Sequence, residues 1–254
     1  MEIQQLLMLL LGAGIAGWVD AVIGGGGLIQ IPMLMIAFPG MNPAVALATN
    51  KLSSVVGTAS AAWTMTRKVA VDRRLVAIYL PVAFVCAGFG ALAASLISKE
   101  VMRPIVIALM VLVGIFVALK PSFGQESDGK APGLWRRIIV VCAVAAIAFY
   151  DGIFGPGTGM FLIMIFTAVL SRNFLQSAAL TKIVNTATNL GALAVFAFHG
   201  HVWWELGLGL AVANVIGAQI GARTVLGGGA KLIRIALLTM VVVMSVYLSW
   251  QQWG

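Results

Sequence analysis

Charge is what this sequence has least of. Only 9% of its 254 residues are Asp, Glu, Lys or Arg, against 61% hydrophobic residues and a mean hydropathy of +1.04. A soluble domain carries roughly a quarter charged residues, because its surface must face water. A water-soluble globule is therefore excluded. Cysteine is nearly absent as well. Cys86 and Cys142 each lie in an apolar stretch, which leaves no disulfide framework and no zinc site. Both read as small buried hydrophobes. His199 and His201 have no cysteine or acidic cluster beside them and read as surface residues. No metal and no cofactor are expected. The chain also lacks a GxxxxGK[ST] loop, an HExxH motif, and any Ser/His/Asp or paired-carboxylate set within its apolar stretches. That removes ATP-driven pumping and argues against an enzyme. The net charge of +8 comes without a basic stripe interleaved with aromatics. Nucleic acid is therefore not an expected partner, and the excess reads as Lys and Arg in cytoplasmic loops.

What the chain has is apolar length. Stretches such as 3–19, 76–97, 105–119 and 235–248 recur from end to end, each near the roughly 20 residues that span a bilayer core. Residues 1–5 offer no basic n-region, so the first stretch reads as a membrane helix and not a cleaved signal. The expected fold is an all-α integral membrane protein.

The chain repeats itself at the separation of Asp20 from Asp151, an offset of 131 residues that holds without gaps. Gly24 falls on Gly155, Gly26 on Gly157, Lys51 on Lys182, Gly90-Ala91 on Gly221-Ala222, and Arg103 on Arg234. Chance does not keep rare membrane charges in step over such a distance. Each half divides into five apolar segments, at 3–20, 24–38, 43–66, 75–97 and 101–119, then at 137–151, 155–170, 174–198, 203–226 and 232–250. The expected organisation is a first membrane repeat at 1–120, a cytoplasmic linker at 121–136 rich in Pro, Gly and charge, and a second repeat at 137–254. The second segment of each half is short, and either crosses thinly or dips in and turns back.

Basic residues set the orientation. With the N-terminus outside, the inner loops hold Arg67, Lys68, Arg73, Arg74, Lys120, Lys130, Arg136, Arg137, Arg172, Arg223, Lys231 and Arg234, most of the 16 in the chain. Only Lys99 and Arg103 fall outside, which obeys the positive-inside rule. Both termini are then outside. Loop 67–74 is basic while its repeat partner 198–205 is not, so the halves are expected to have inverted topology. Trp203, Trp204, Trp250 and Trp253 would join an outer aromatic belt, with Trp63 and Trp135 near the inner side.

Two lysines stand inside the apolar segments. Lys51 and Lys182 each lie in the third segment of their half, where a charge costs roughly 2.5–3.5 kcal/mol even on permissive scales. Helical spacing puts Lys51, Ser54 and Thr58 on one face, with Asn50, Ser53 and Gly57 alongside. Lys182, Asn185 and Asn189 fall together, with Thr181 and Thr188 adjacent. Brought together, the stripes form a cationic pocket near the midplane, suited to a small anion. The plainer reading is a structural ion pair to Asp20 or Asp151. Gly-rich breaks at 20–27 and 151–159 separate the first two segments of each half. Such backbone at membrane depth must be buried or line a cavity, and the helices restarting there present free N–H groups and a positive dipole end. Gly25, Gly26, Gly27, Gly157 and Thr158 are the expected backbone donors. Glycines also serve simple close packing. Asp20 and Asp151 could cap a helix, pair with lysine, or couple transport to an ion.

DAVIGGGGLIQIP, the following ALATNKL, FYDGIFGPGTG and the downstream TKIVNTATN resemble the sulfite exporter TauE/SafE family, particularly its YfcA-like members, over about residues 12–245. The resemblance implies a multi-pass protein of the bacterial inner membrane that moves a small sulfur-containing or organic anion such as sulfite, sulfoacetate or another sulfonate, usually outward. The second break, Gly-Pro-Gly-Thr-Gly, departs from the four glycines of the first, so the half-sites are expected to be unequal. The reading is a secondary transporter, with a channel-like anion conduit as the alternative. Its partners are a small anionic substrate and the lipid bilayer, with self-association into a homo-oligomer left open.

Overall fold

The computed structural model describes residues 2–98 and 133–228, with a few positions between 100 and 112. The segment expected at 232–250, most of that at 101–119, the linker up to residue 132, Trp250 and Trp253 lie outside the described residues.

Among the described residues eight helices have full bounds, further helical positions lie between 100 and 112, and there is no strand. The eight are α1 (Ile3–Ile23), α2 (Gly27–Ala37), α3 (Pro43–Thr66), α4 (Arg73–Ser95), α5 (Leu134–Ile153), α6 (Thr158–Ala168), α7 (Phe174–Phe198) and α8 (Trp204–Leu226). Helices start where short polar side chains stand ahead of apolar runs. The Asn42 carboxamide accepts from the Ala44 N–H at 3.0 Å, and its repeat partner Asn173 accepts from the Gln176 N–H at 2.9 Å. These caps satisfy donors that the first turn leaves open. Asp72 does the same for α4 through the Arg74 N–H, so that helix begins two residues before the expected boundary. The linker's expected end at 136 is likewise shortened, because α5 begins at Leu134.

The distribution of polarity is the reverse of a soluble protein's. Leu11, Phe89 and Val212 are 71%, 60% and 66% exposed, while Lys51, Lys182, Asp151, Asn50, Asn185 and Asn189 are buried. An apolar exterior around a polar interior is the arrangement lipid demands. By length and composition α1, α4 and α8 can cross a membrane. The helices α3 and α7 are longer still, at 24 and 25 residues, but carry the polar stripes inward. Each short helix, α2 and α6, has 11 residues, or about 16 Å, half of a bilayer core of about 30 Å. Neither crosses by itself.

Helix packing repeats with the halves exchanged. Contact of α1 with α8 is matched by α5 with α4, contact of α3 with α8 by α7 with α4, and α3 meets α7 directly. The match reaches single residues. A Cβ on Gly221 would lie 2.4 Å from the Trp18 carbonyl oxygen and 2.8 Å from the Ala21 side chain. A Cβ on Gly90 would lie 2.1 Å from the Phe149 oxygen and 3.0 Å from Gly152. Trp18 and Ala21 are the repeat partners of Phe149 and Gly152.

The breaks sit where expected, with one shift. Asp20 and Asp151 belong to the last turns of α1 and α5 and are not part of the breaks themselves. Apolar residues 21–23 continue α1 to the first left-handed glycine, Gly24 at φ 79°, whose N–H returns to the Asp20 carbonyl. Gly155, its repeat partner, has φ 90°. The two breaks touch: a Cβ on Gly24 would lie 2.2 Å from the Gly159 Cα. A Gly24→Ala variant meets both the positive φ and that backbone, so a loss of about 1–3 kcal/mol is expected. Thermal unfolding in detergent should show it, while Gly40→Ala, with nothing within 4 Å, leaves the midpoint unchanged.

Candidate functional site

Lys51 enters from α3 and Lys182 from α7, the two helices in contact at the centre, and each reaches into the other half. The Lys51 Nζ donates to Asp151 Oδ2 at 2.7 Å, with both side chains 2% exposed. The Lys182 Nζ lies 3.4 Å from Asp20 Oδ2 and also donates to the Asp20 backbone carbonyl. Its side chain is fully buried, while that of Asp20 is 15% exposed. The lysines are thus not free cations in a positive pocket; each has a carboxylate for its charge. The cause is energetic. An uncompensated charge at this depth is expensive, whereas a close pair with further hydrogen bonds recovers much of its desolvation.

The same carboxylates meet the restarting helices. Asp20 Oδ1 accepts from the Gly26 N–H at 3.3 Å, beside the start of α2. Asp151 Oδ1 accepts from the Thr158 hydroxyl at 2.7 Å, at the first residue of α6. Lysine ammonium and helix N-terminus therefore converge on one oxygen pair in each half, which is the arrangement that holds anions. In this conformation the anion is the protein's own aspartate. A Cβ on Gly155 would lie 3.1 Å from the Lys51 Nζ, so the second break closes over that pair directly.

The remaining expected residues distribute around this centre. Asn50, Ser53, Thr181, Asn185 and Asn189 are buried, and Ser54 is half-buried. Gly25, Gly26, Gly157 and Thr158 are buried and Gly27 is half-buried. The Asn50 Oδ1 and Thr181 Oγ1 are buried and have no hydrogen-bond partner in the protein, although each is the immediate neighbour of a paired lysine. Buried polar atoms are nearly always partnered. Thr188 donates to the Asn185 carbonyl oxygen at 2.9 Å and contacts Asn185 Oδ1 at 3.2 Å.

Two polar residues escape a reading based on the repeat. Gln30 on α2 and Asn214 on α8 are 2% and 3% exposed, and the Asn214 amide donates to Gln30 Oε1 at 3.3 Å. The Ser53 hydroxyl donates to the same oxygen at 3.3 Å. Their repeat partners, Phe161 and Ala83, are apolar, so the offset carries no trace of them. The detectable signal was isolation, since Gln30 is the one polar side chain in GLIQIPMLMIA. An open apolar groove of about 270 Å³, lined by Ala59, Leu80, Phe84, Ile183 and Leu190, lies on the lipid-facing side of α3, α4 and α7. It does not include either lysine. His199 is exposed and His201 half-buried, with stacked rings. Burial, and then the neighbouring His199, push the His201 imidazole below the ordinary histidine range.

If each lysine depends on the aspartate it reaches, their losses will not add. Lys51→Met strands Asp151 as a buried charge, at an expected cost of about 3–5 kcal/mol. Adding Asp151→Asn should restore most of the unfolding midpoint in detergent. Equal or additive losses in the double variant would contradict the pairing.

Known proteins resemble this chain over nearly its whole length. The model of the sulfite exporter TauE/SafE family matches residues 9–248. The chain is 35% identical over 242 residues to the probable membrane transporter YfcA of Escherichia coli K12, covering 95% of this chain and 88% of that one. It is 34% identical over 246 residues to the probable membrane transporter ORF9 of a Sinorhizobium species, covering 96% and 92%. It is also 34% identical over 242 residues to a probable membrane transporter of Haemophilus influenzae, covering 95% and 92%. No solved structure matches the chain.

Proposed function

We propose a mechanism from one premise: this chain belongs to the sulfite exporter TauE/SafE family, a family of membrane transporters. The proposed activity is secondary transport, in the export direction, of a small organic or sulfur-containing anion such as sulfite, sulfoacetate or another sulfonate. The observation that carries it is the reciprocal crossing of Lys51 to Asp151 and Lys182 to Asp20, beneath two helix breaks that touch.

An ammonium group already holding a carboxylate can hold a sulfonate or sulfite in its place, because the charge and the oxygen geometry are alike. The incoming anion and the resident aspartate cannot both remain charged at that spot without strong repulsion. The aspartate therefore takes a proton or withdraws, and anion binding becomes linked to proton uptake. Asp20 and Asp151 are the coupling residues in this scheme. Lys51 and Lys182 supply the charge. Asn50, Ser53, Ser54, Thr181, Asn185 and Asn189 orient the guest, and Gly25, Gly26, Gly27, Gly157 and Thr158 give backbone donors and hinges. Both ammonium groups are sealed from solvent, which fits an occluded intermediate of alternating access. Repeats at 1–120 and 137–254 in inverted topology, joined by a cytoplasmic linker at 121–136, would place the site between two elements that rock against each other. The setting is the bacterial inner membrane with both termini outside.

Uptake into proteoliposomes with labelled sulfite, sulfoacetate and carboxylates tests the scheme. Lys51→Ala and Lys182→Ala are expected to lose transport by tenfold or more while the parent shows saturable counterflow. Parental rates in both variants would end the site assignment, and flux without counterflow would point to a conduit. Apparent affinity of the parent should rise as pH falls, because a protonated aspartate releases its lysine. Asp20→Asn should flatten that dependence, and an unchanged pH profile would remove Asp20 from the coupling.

A further inference from the structure

The two half-sites share the Lys–Asp pair and the left-handed glycine but differ in how the carboxylate is held. Around Asp151 the structure is laced shut. Thr158 donates to both Asp151 Oδ1 and the Gly155 carbonyl oxygen, and the Tyr150 hydroxyl donates to the Pro156 carbonyl oxygen at 2.7 Å. At the repeat positions of Thr158 and Tyr150 the first half has Gly27 and Val19, which can make neither bond. Asp20 is held by one long N–H contact and remains partly exposed.

The space beside the two pairs differs equally. One turn along α2 from Gly26, which caps Asp20, stands Gln30. Its amide oxygen accepts from Ser53 and Asn214, and its Nε2 is buried with no protein partner. Asn214 packs on Gly17, one turn before Asp20 in α1, and on Gly57 of α3. The polar cluster therefore lies one helical turn from Asp20 along α1, at Gly17, and one turn from Gly26 along α2, at Gln30. In the other half Gln30, Ser53 and Asn214 fall on Phe161, Val184 and Ala83, all apolar, while Gly17 and Gly57 fall on Ala148 and Thr188.

Resting on the transport reading above, we propose that the anion passes through the first of these environments alone. Gln30 is the hydrogen-bond donor that receives it on the Lys182–Asp20 side, so that of the groups named above Lys182 and Asp20 carry the charge and the coupling, and the Lys51–Asp151 pair stays closed as a clasp between the halves. The chemistry favours Gln30 for this role. With its oxygen occupied by Ser53 and Asn214, it offers only N–H groups, which suit an oxyanion and reject a cation. A buried amide donor with no protein partner is costly unless a guest completes it for part of the cycle.

Two measurements on the full chain in proteoliposomes test this. In a background with Cys86→Ser and Cys142→Ser, single cysteines are placed by Ser53→Cys and by Val184→Cys, its repeat position. A small anionic methanethiosulfonate, the sulfonatoethyl reagent, is then applied. Labelling of the first and not the second is expected. Labelling of both alike, of the second alone, or of neither overturns the one-sided path. This arm requires no transport substrate, so it still decides the path if the proposed anions prove wrong. In the second arm, sulfoacetate uptake by Gln30→Met should show KM raised roughly ten- to hundredfold, the loss of a hydrogen bond to a charged group, with maximal rate little changed. Parental KM in Gln30→Met overturns the donor role. Tyr150→Phe, which removes the hydroxyl bond to the Pro156 carbonyl and so loosens the clasp, should lower the unfolding midpoint and leave KM where it was. A KM shift in Tyr150→Phe as large as that in Gln30→Met would also overturn the proposal.

Discussion

The architecture depends on two ion pairs that run between the halves and never within one. Lys51 on α3 answers Asp151 on α5, and Lys182 on α7 answers Asp20 on α1. Charges of this kind are intolerable against lipid, so everything around them serves to keep them covered. The helices α3 and α7 meet at the centre and place their polar faces inward. The half-length helices α2 and α6 start beside the carboxylates and contribute N–H or hydroxyl donors to them. The outer helices α1, α4, α5 and α8 then turn apolar surfaces outward, and glycines at 90 and 221 let two of these contacts close to backbone distance. The pairs hold the two repeats together.

Much of this was legible in the residues. The offset of Asp20 to Asp151 and Lys51 to Lys182 anticipated which elements would correspond, and helical packing follows the same exchange. The breaks were readable because glycine at Gly24 and Gly155 supplies the positive φ that ends a helix cleanly. What periodicity could not show was which carboxylate each lysine would choose, since pairing is a property of three-dimensional crossing. An expectation of net positive charge followed from counting lysines on a stripe without the aspartates from the opposite half. Gln30 and Asn214 were illegible for a different reason. A repeat-based reading weights what recurs, and both stand opposite apolar partners.

The departures from symmetry are as informative as the symmetry. Duplication supplies two equivalent centres, but a transport path needs only one. Thr158 and Tyr150 brace the second break, whereas Gly27 and Val19 leave the first unbraced. Two copies of one design are thereby held differently at corresponding points.

The crossed pairing also bears on how the chain comes to exist. The first repeat leaves the ribosome with Lys51 and Asp20 already inside apolar segments, while their partners lie 100 and 162 residues downstream. Until those partners arrive, neither charge has its native counterion, and the nascent half bears the full burden of holding them in or beside lipid. Biogenesis therefore requires a waiting state in which the early helices stay shielded, by the insertion machinery or by incomplete insertion, and their final seating is an event of the completed polypeptide.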